Sequence, residues 1–219
     1  MGGRVGCEPG AMSAVTAEDI TAAQERAGLS PREQRYRLDQ LHDRVVKAAT
    51  PHSLSEGLLK SDSEAPWLVL TGPVGCGKTH LAIALLNQWI AARHLMGRFV
   101  SVANLLLRVR STYQAGSSET EQAVVQELGR TPLLVLDDLG AGYKSESQHA
   151  ESVLLGILDE RYRFERRLIV TTNLSESRLE QVLEPRLMSR LRGRAQFVTC
   201  GDADLRYLEG RGKLRQASS

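Results

Sequence analysis

Gly72-Pro73-Val74-Gly75-Cys76-Gly77-Lys78-Thr79 fits the pattern G-x-x-x-x-G-K-[ST] at every fixed position. The apolar run Trp67-Leu68-Val69-Leu70-Thr71 precedes it and reads as a buried strand, and Lys78 to Arg93 reads as a helix. That strand–loop–helix setting separates a phosphate-binding loop from a chance match. The glycines let backbone N–H groups turn inward around a polyphosphate. Lys78 reaches the β and γ phosphates, the Thr79 hydroxyl can ligate Mg²⁺, and the N-terminus of the following helix favours an anion.

Working outward, the rest of the chain alternates strand and helix. Strands are predicted at 67–71, 98–102, 132–137, 167–172 and 196–199, and helices at 78–93, 103–115, 118–129, 146–164, 175–183 and 186–191. Apolar strands separated by helices imply a five-stranded parallel sheet between helical layers, an α/β fold. Ligands in such sheets bind at the carboxyl ends of strands. Before residue 60 the pattern is weaker. Met1 to Met12 is glycine-rich and aperiodic, and Thr16 with Asp19 starts a short helix that stops before Gly28. Ser30-Pro31-Arg32-Glu33 is a capping-box start, and the helix it opens carries Tyr36, Leu38, Leu41, Val45 and Val46. Residues 53–66 read as a connector rich in Ser, Glu and Gly. The expected organisation is a short helical N-terminal extension over 1–60 that can dock a partner, a core over 61–206 and a basic tail over 207–219.

Composition excludes several classes. With 219 residues and 42% hydrophobic content the chain can bury a sizeable core, and its formal net charge of +2 gives no global pull toward nucleic acid. No apolar run is long enough to span a membrane, and no secretory h-region is present at the N-terminus. Cys7, Cys76 and Cys200 are far apart and form no C-x-x-C pair, so a reducing, cytoplasmic setting is the expectation. The five histidines show no metal-ligand spacing.

Three further stretches carry chemistry. Leu133-Leu134-Val135-Leu136-Asp137-Asp138 is a buried strand with two carboxylates at its carboxyl end. Asp137 is placed to hold Mg²⁺, a hard cation that prefers oxygen, and Asp138 to orient or deprotonate the water that attacks the γ-phosphate. Ile169-Val170-Thr171-Thr172-Asn173 is another buried strand, ending in a polar cluster; Asn173 either contacts the γ-phosphate and lytic water or caps the helix that begins near Ser175. In Pro185-Arg186-Leu187-Met188-Ser189-Arg190-Leu191 two arginines four apart share a helix face. They are either solvated surface residues or a source of a guanidinium for a neighbouring subunit's phosphoryl group. Cys76 reads as a small residue in a tight turn, or as a redox-sensitive thiol if exposed.

Taken in order, Gly72 to His80, the Leu-Leu-Val-Leu-Asp-Asp-Leu-Gly run, Thr-Thr-Asn-Leu and Arg-Leu-Met-Ser-Arg-Leu resemble AAA+ ATPases of the DnaC/IstB type, which are helicase loaders and transposition helpers. The resemblance spans about residues 60–206. It implies ATP and Mg²⁺ as ligands. Gly72, Pro73, Val74, Gly75, Cys76, Gly77, Lys78, Thr79 and His80 are then Walker A, and Asp137 and Asp138 are Walker B. Asn173 is sensor 1, and Arg190 is the arginine finger, with Arg186 the weaker candidate. Thr79-His80-Leu81-Ala82 is typical of the group, and His80 is read as packing or hydrogen bonding rather than catalysis. So is the segment from Ser101 to Leu106 followed by Arg108, Arg110 and Tyr113, a region where related proteins bind single-stranded DNA. Tyr113 can stack on a base while the arginines meet phosphates.

The chain departs from the pattern in two places. Asp138 stands where many AAA+ enzymes have Glu, which implies slow hydrolysis. Only about 20 residues follow Cys200, so the helical lid is expected to be reduced or absent. Three function classes follow. One is a helicase loader that binds a replicative helicase and single-stranded DNA as an ATP-bound homo-oligomer. Another is a transposition helper that acts with a transposase on duplex DNA. The third and weakest is a small-molecule kinase, which would not carry the Asn173 and Arg190 elements in this order.

Overall fold

The computed structural model describes residues 15–41, 51–59, 67–94, 96–140 and 147–201. Five strands, β1 (Trp67–Thr71), β2 (Arg98–Ser101), β3 (Leu133–Asp137), β4 (Arg167–Thr172) and β5 (Ala195–Thr199), form one sheet in the order β2-β3-β4-β1-β5. Every neighbouring pair is parallel. The parallel strands are linked through α3 (Lys78–Trp89), α4 (Val102–Ser111), α5 (Glu121–Arg130), α6 (Ser147–Arg163), α7 (Glu176–Val182) and α8 (Pro185–Arg194). The α/β expectation therefore holds, with strand ends within a residue or so of those predicted.

The period-2 geometry of a strand sends alternate side chains to opposite faces. Leu68, Leu70, Leu133, Val135 and Ile169 pack with α3 on one face. Trp67, Val69, Leu134, Leu136, Leu168 and Val170 pack with α4, α5, α6 and α8 on the other. Short polar side chains start the helices: Ser101 accepts from Asn104 N–H, Thr120 from Ala123 N–H and Ser175 from Arg178 N–H. Arg161 is fully buried and donates to the carbonyls of Leu128 and Thr131 at the end of α5. Burial, with the nearby charge of Arg166, pushes its guanidinium down to about 9.

Before β1 the structure departs from the sequence reading. Helix α1 (Ala17–Arg26) forms as expected, with a capping box between Thr16 and Asp19. The box at Ser30 also forms, since Ser30 N–H and Oγ both donate to Glu33 Oε2, at 2.8 and 2.6 Å. Among the described residues no long helix follows it. Two 3₁₀ turns appear instead, Glu33–Arg35 and Leu38–Gln40, with Tyr36 extended between them. The reason lies in α3. Asn87 Nδ2 donates to the carbonyls of Glu33 and Tyr36 at 2.8 and 3.0 Å, and Gln24 Nε2 donates to Gln34 O and to Asn87 Oδ1. Carbonyls that an α-helix would use four residues on are bonded to buried side chains instead. Val45 and Val46 lie outside the described residues.

The supposed connector contains a helix, α2 (Pro51–Leu59), because Leu54 and Leu58, one turn apart, bury themselves in the core. Ala23, Ala27, Leu29, Leu38, Leu54 and Leu58 all belong to the cluster that holds α3. Phe99 N–H donates to Ala27 O at 2.7 Å, which ties the segment to the edge strand β2. The described part of the segment before β1 thus packs into the same core as α3. The tail over 207–219 and the residues that bear on a lid lie outside the described part.

Candidate functional site

The loop between β1 and α3 needs glycine where the sequence has it. Gly72, Gly75 and Gly77 have φ of +146°, +81° and +96°. These are conformations that side-chain-bearing residues rarely adopt. A Cβ on Gly72 would also stand 2.6 Å from Cys200 O, just past the end of β5. Cys76 is buried against this turn, 1% exposed, which supports the small-residue reading over an accessible thiol. Burial pushes the Cys200 thiol up to about 12.

Lys78 opens α3 and is 6% exposed. Its Nζ donates to Gly72 O at 2.9 Å, to Pro73 O at 2.7 Å and to Asn173 Oδ1 at 2.8 Å. None of these partners carries a charge. Thr79 Oγ1 donates to Asp137 Oδ1 at 2.8 Å, and Thr171 Oγ1 donates to the same oxygen at 2.7 Å. Asp138 sits in the left-handed region at φ +63°. Its N–H donates to Thr171 Oγ1 at 2.9 Å, and its Oδ1 accepts from Asn173 Nδ2 at 2.7 Å. One connected network therefore joins Lys78, Asn173, Asp138, Thr171, Asp137 and Thr79, from the start of α3 to the ends of β3 and β4. Asn173 bridges the lysine and the second aspartate, while the capping of α7 falls to Ser175.

These groups line a cleft of about 720 Å³ at the carboxyl end of the sheet. Thr79 and Asp137 offer it only oxygen donors, the chemistry Mg²⁺ prefers. Its far wall comes from before β1: Arg32, Glu33 and Tyr36. Tyr36 stacks on His80 with ring centroids 3.9 Å apart. Sequence reading missed Thr171 and this wall. Two threonines ending a buried strand were a visible signal for Thr171; nothing local marks Tyr36.

The remaining expected site residues lie elsewhere. Arg190 is not among the cleft residues; it is 43% exposed on α8, where it pairs with Asp159 at 2.8 Å. Arg186 is exposed on the same helix. Arg108, on α4, is held by carboxylates: its Nε donates to Glu119 Oε2 at 3.0 Å, and its Nη2 pairs with both Glu119 and Glu127. Those bonds raise the Arg108 guanidinium well above its usual range. Arg110 is exposed, and Tyr113 is 63% exposed with its hydroxyl bonded to Glu121.

A parallel sheet in this order, with a glycine-turned phosphate loop facing an Asp-Asp strand end and an Asn strand end, defines an AAA+ P-loop ATP-binding domain. Residues 58–202 match the family described as IstB-like ATP binding protein, and the chain belongs to that family. A replicative helicase loader DnaC from Buchnera aphidicola subsp. Acyrthosiphon pisum is 29% identical over 147 residues, 65% of this chain and 57% of that protein. An ATP-binding protein of insertion sequence IS21 from Pseudomonas aeruginosa is 31% identical over 106 residues, 48% of this chain and 37% of that protein. The chain thus spans little more than half of the first relative and less of the second. The crystal structure of DnaI superposes with a TM-score of 0.66 at 23% identity, covering 78% of this chain and 94% of that one. Among the described residues no helix is long and apolar enough to cross a membrane.

Proposed function

We propose that the chain binds and slowly hydrolyses ATP with Mg²⁺, and that it works in the cytoplasm as a homo-oligomeric helicase loader. Its partners in this reading are a replicative helicase and single-stranded DNA. The observation that carries the reading is the network around Lys78, a buried ammonium whose hydrogen-bond partners, three oxygens and the Cys76 sulfur, are all uncharged, at the mouth of the glycine-rich turn. Incoming phosphate oxygens would take over the bonds that Gly72 O, Pro73 O and Asn173 Oδ1 now make, as charge-assisted hydrogen bonds. Loop N–H groups and the start of α3 add to the cradle.

Thr79 and Asp137 are the residues that would hold Mg²⁺, which neutralises charge on the transferring phosphoryl group when bound. Asp138, held by Asn173, accepts the proton of the attacking water. Asn173, released from Lys78 by the phosphate, is left to orient that water. Arg190 stands outside its own cleft, so its guanidinium serves the nucleotide of an adjacent subunit. The exposed Tyr113 and Arg110 on the α4 side are the residues offered to DNA.

The second reading, a transposition helper working with a transposase on duplex DNA, is favoured by the insertion-sequence relative. The loader is preferred because the loader relative aligns over more of this chain. Fluorescence anisotropy with labelled single- and double-stranded oligonucleotides, with and without ATP and Mg²⁺, separates the two. ATP-dependent, salt-sensitive preference for single strands is expected. Preference for duplex would select the helper.

A further inference from the structure

We infer that Tyr162 and Asp159 are positioning residues that hold the Arg190 guanidinium in the attitude in which one subunit presents it to the nucleotide of the next. The inference rests on the proposed reading of Arg190 as a finger acting between subunits. Asp159 and Tyr162 lie three apart near the end of α6, and Arg190 and Arg194 lie four apart on α8, so each pair shares a helix face. The two helices pack with these faces in contact. Arg190 Nε meets Asp159 Oδ1 at 2.8 Å. The Arg190 guanidinium stands 5.1 Å from the Tyr162 ring centroid, and that of Arg194 stands 4.5 Å from it, both within cation–π range.

None of these four groups belongs to the nucleotide cleft of its own chain, and α8 needs no polar clamp to stay in place. Its buried stripe of Leu187, Met188 and Leu191 does that. The clamp acts on the arginine instead. A free arginine on a surface helix samples many rotamers, and a planar donor held in advance loses less freedom when it engages. The ring fixes the plane of the guanidinium and the carboxylate fixes its rotation. Two arginines over one ring repel each other, and the Asp159 charge offsets that repulsion on the Arg190 side.

Steady-state ATP hydrolysis by mixed full-length subunits tests this. An Arg190→Ala chain keeps its nucleotide site but supplies no finger, and a Lys78→Ala chain supplies a finger but holds no nucleotide. Their mixture is expected to recover turnover. Tyr162→Ala added to the Lys78→Ala chain should then lower kcat of the mixture by about 10- to 100-fold with KM unchanged, the effect of displacing a reacting group by about an ångström. The same change added to the Arg190→Ala chain should leave turnover where it was. A folding defect would depress both mixtures, so the asymmetry is specific to finger presentation. Tyr162→Phe in the finger-supplying chain keeps the ring and should restore turnover, and Asp159→Asn there should lower it. Full turnover with Tyr162→Ala donors, an equal loss from either chain, or a rise with Asp159→Asn would overturn the inference while leaving the finger intact. Full activity of Arg190→Ala by itself, or no recovery in the first mixture, would remove the finger and the positioning role together.

Discussion

Lys78 and Arg108 are both partly or wholly sheltered cations on helices flanking the same sheet, and they differ in what surrounds them. Lys78 is buried and meets two carbonyls and one amide oxygen. Arg108 is about one-third exposed and meets two carboxylates, with Arg98 bonded to one of them, Glu127. Burying a charge without a counter-charge is costly. That fits Lys78 to the phosphate-anchoring role proposed for it, whereas Arg108 already has its anions.

The largest effect should come from breaking the first half of that contrast. Lys78→Ala is expected to weaken ATP binding by about 2–5 kcal/mol, the range for removing one partner of a buried charge pair. Arg108→Ala should leave ATP affinity unchanged. Isothermal titration calorimetry of both variants checks the pair of expectations; tight binding by the Lys78 variant would mean that the uncompensated ammonium is not the phosphate anchor.

A smaller loss is expected at Asn87, which bonds the cleft wall to α3. Asn87→Ala removes the amide that donates to the carbonyls of Glu33 and Tyr36, which keep Tyr36 N–H and Arg37 Nη1 as donors, and it removes an acceptor of the buried Gln24 Nε2. The expected cost is about 0.5–1.5 kcal/mol for each hydrogen bond lost. Urea unfolding would measure it, and loss of the Tyr36–His80 stack should accompany it in the tyrosine near-ultraviolet signal.

These two cases mark what the sequence makes legible. The phosphate loop, the Asp-Asp strand end and Asn173 are local patterns whose spacing dictates geometry, and the structure brings them within hydrogen-bond distance of one another. The five strands are legible for the same reason, since each is a short apolar run closed by turn residues. The fate of the Ser30 helix start is not local. It depends on Asn87 and Gln24, both distant in sequence from some of the carbonyls they bind. The same holds for Arg161, whose sequence position on α6 gives no sign that it is fully buried against the end of α5. It holds again for Arg108, which reads as a basic residue for phosphates until Glu119 and Glu127 arrive beside it from the following loop and helix.

If Arg108 is a strut, any DNA contact on this side falls to its exposed neighbours. Tyr113→Ala should weaken single-strand binding by about 1–3 kcal/mol, the range for a base stacked on an aromatic ring, as measured by anisotropy in the presence of ATP. Arg110→Ala should reduce the salt dependence of binding. A loss on Arg108→Ala as large as that on Tyr113→Ala would blur the distinction between the two cations.

The smallest effect belongs to the strut itself. Arg108, Glu119 and Glu127 are each roughly one-third exposed, so solvent screens their attraction, and Arg108→Ala should cost only about 1 kcal/mol at neutral pH. The pH dependence of that cost identifies its source. The Arg108 bond holds the Glu119 carboxyl below the usual carboxylate range. At Glu127 burial pushes the carboxyl up, but the bonds from Arg108 and Arg98 outweigh it and leave it lowered as well. A carboxyl whose folded value is depressed stabilises the fold above its unfolded value, about 4.3 for Glu. That contribution is lost as the pH falls through the folded value. The stability difference between the parent and Arg108→Ala should therefore be flat from neutral pH down to about 5 and shrink in more acid solution. Paired urea titrations at pH 7 and near pH 3 measure it. A difference that persists undiminished at the acid end would assign the Arg108 contribution to packing of its apolar stem rather than to its two carboxylates.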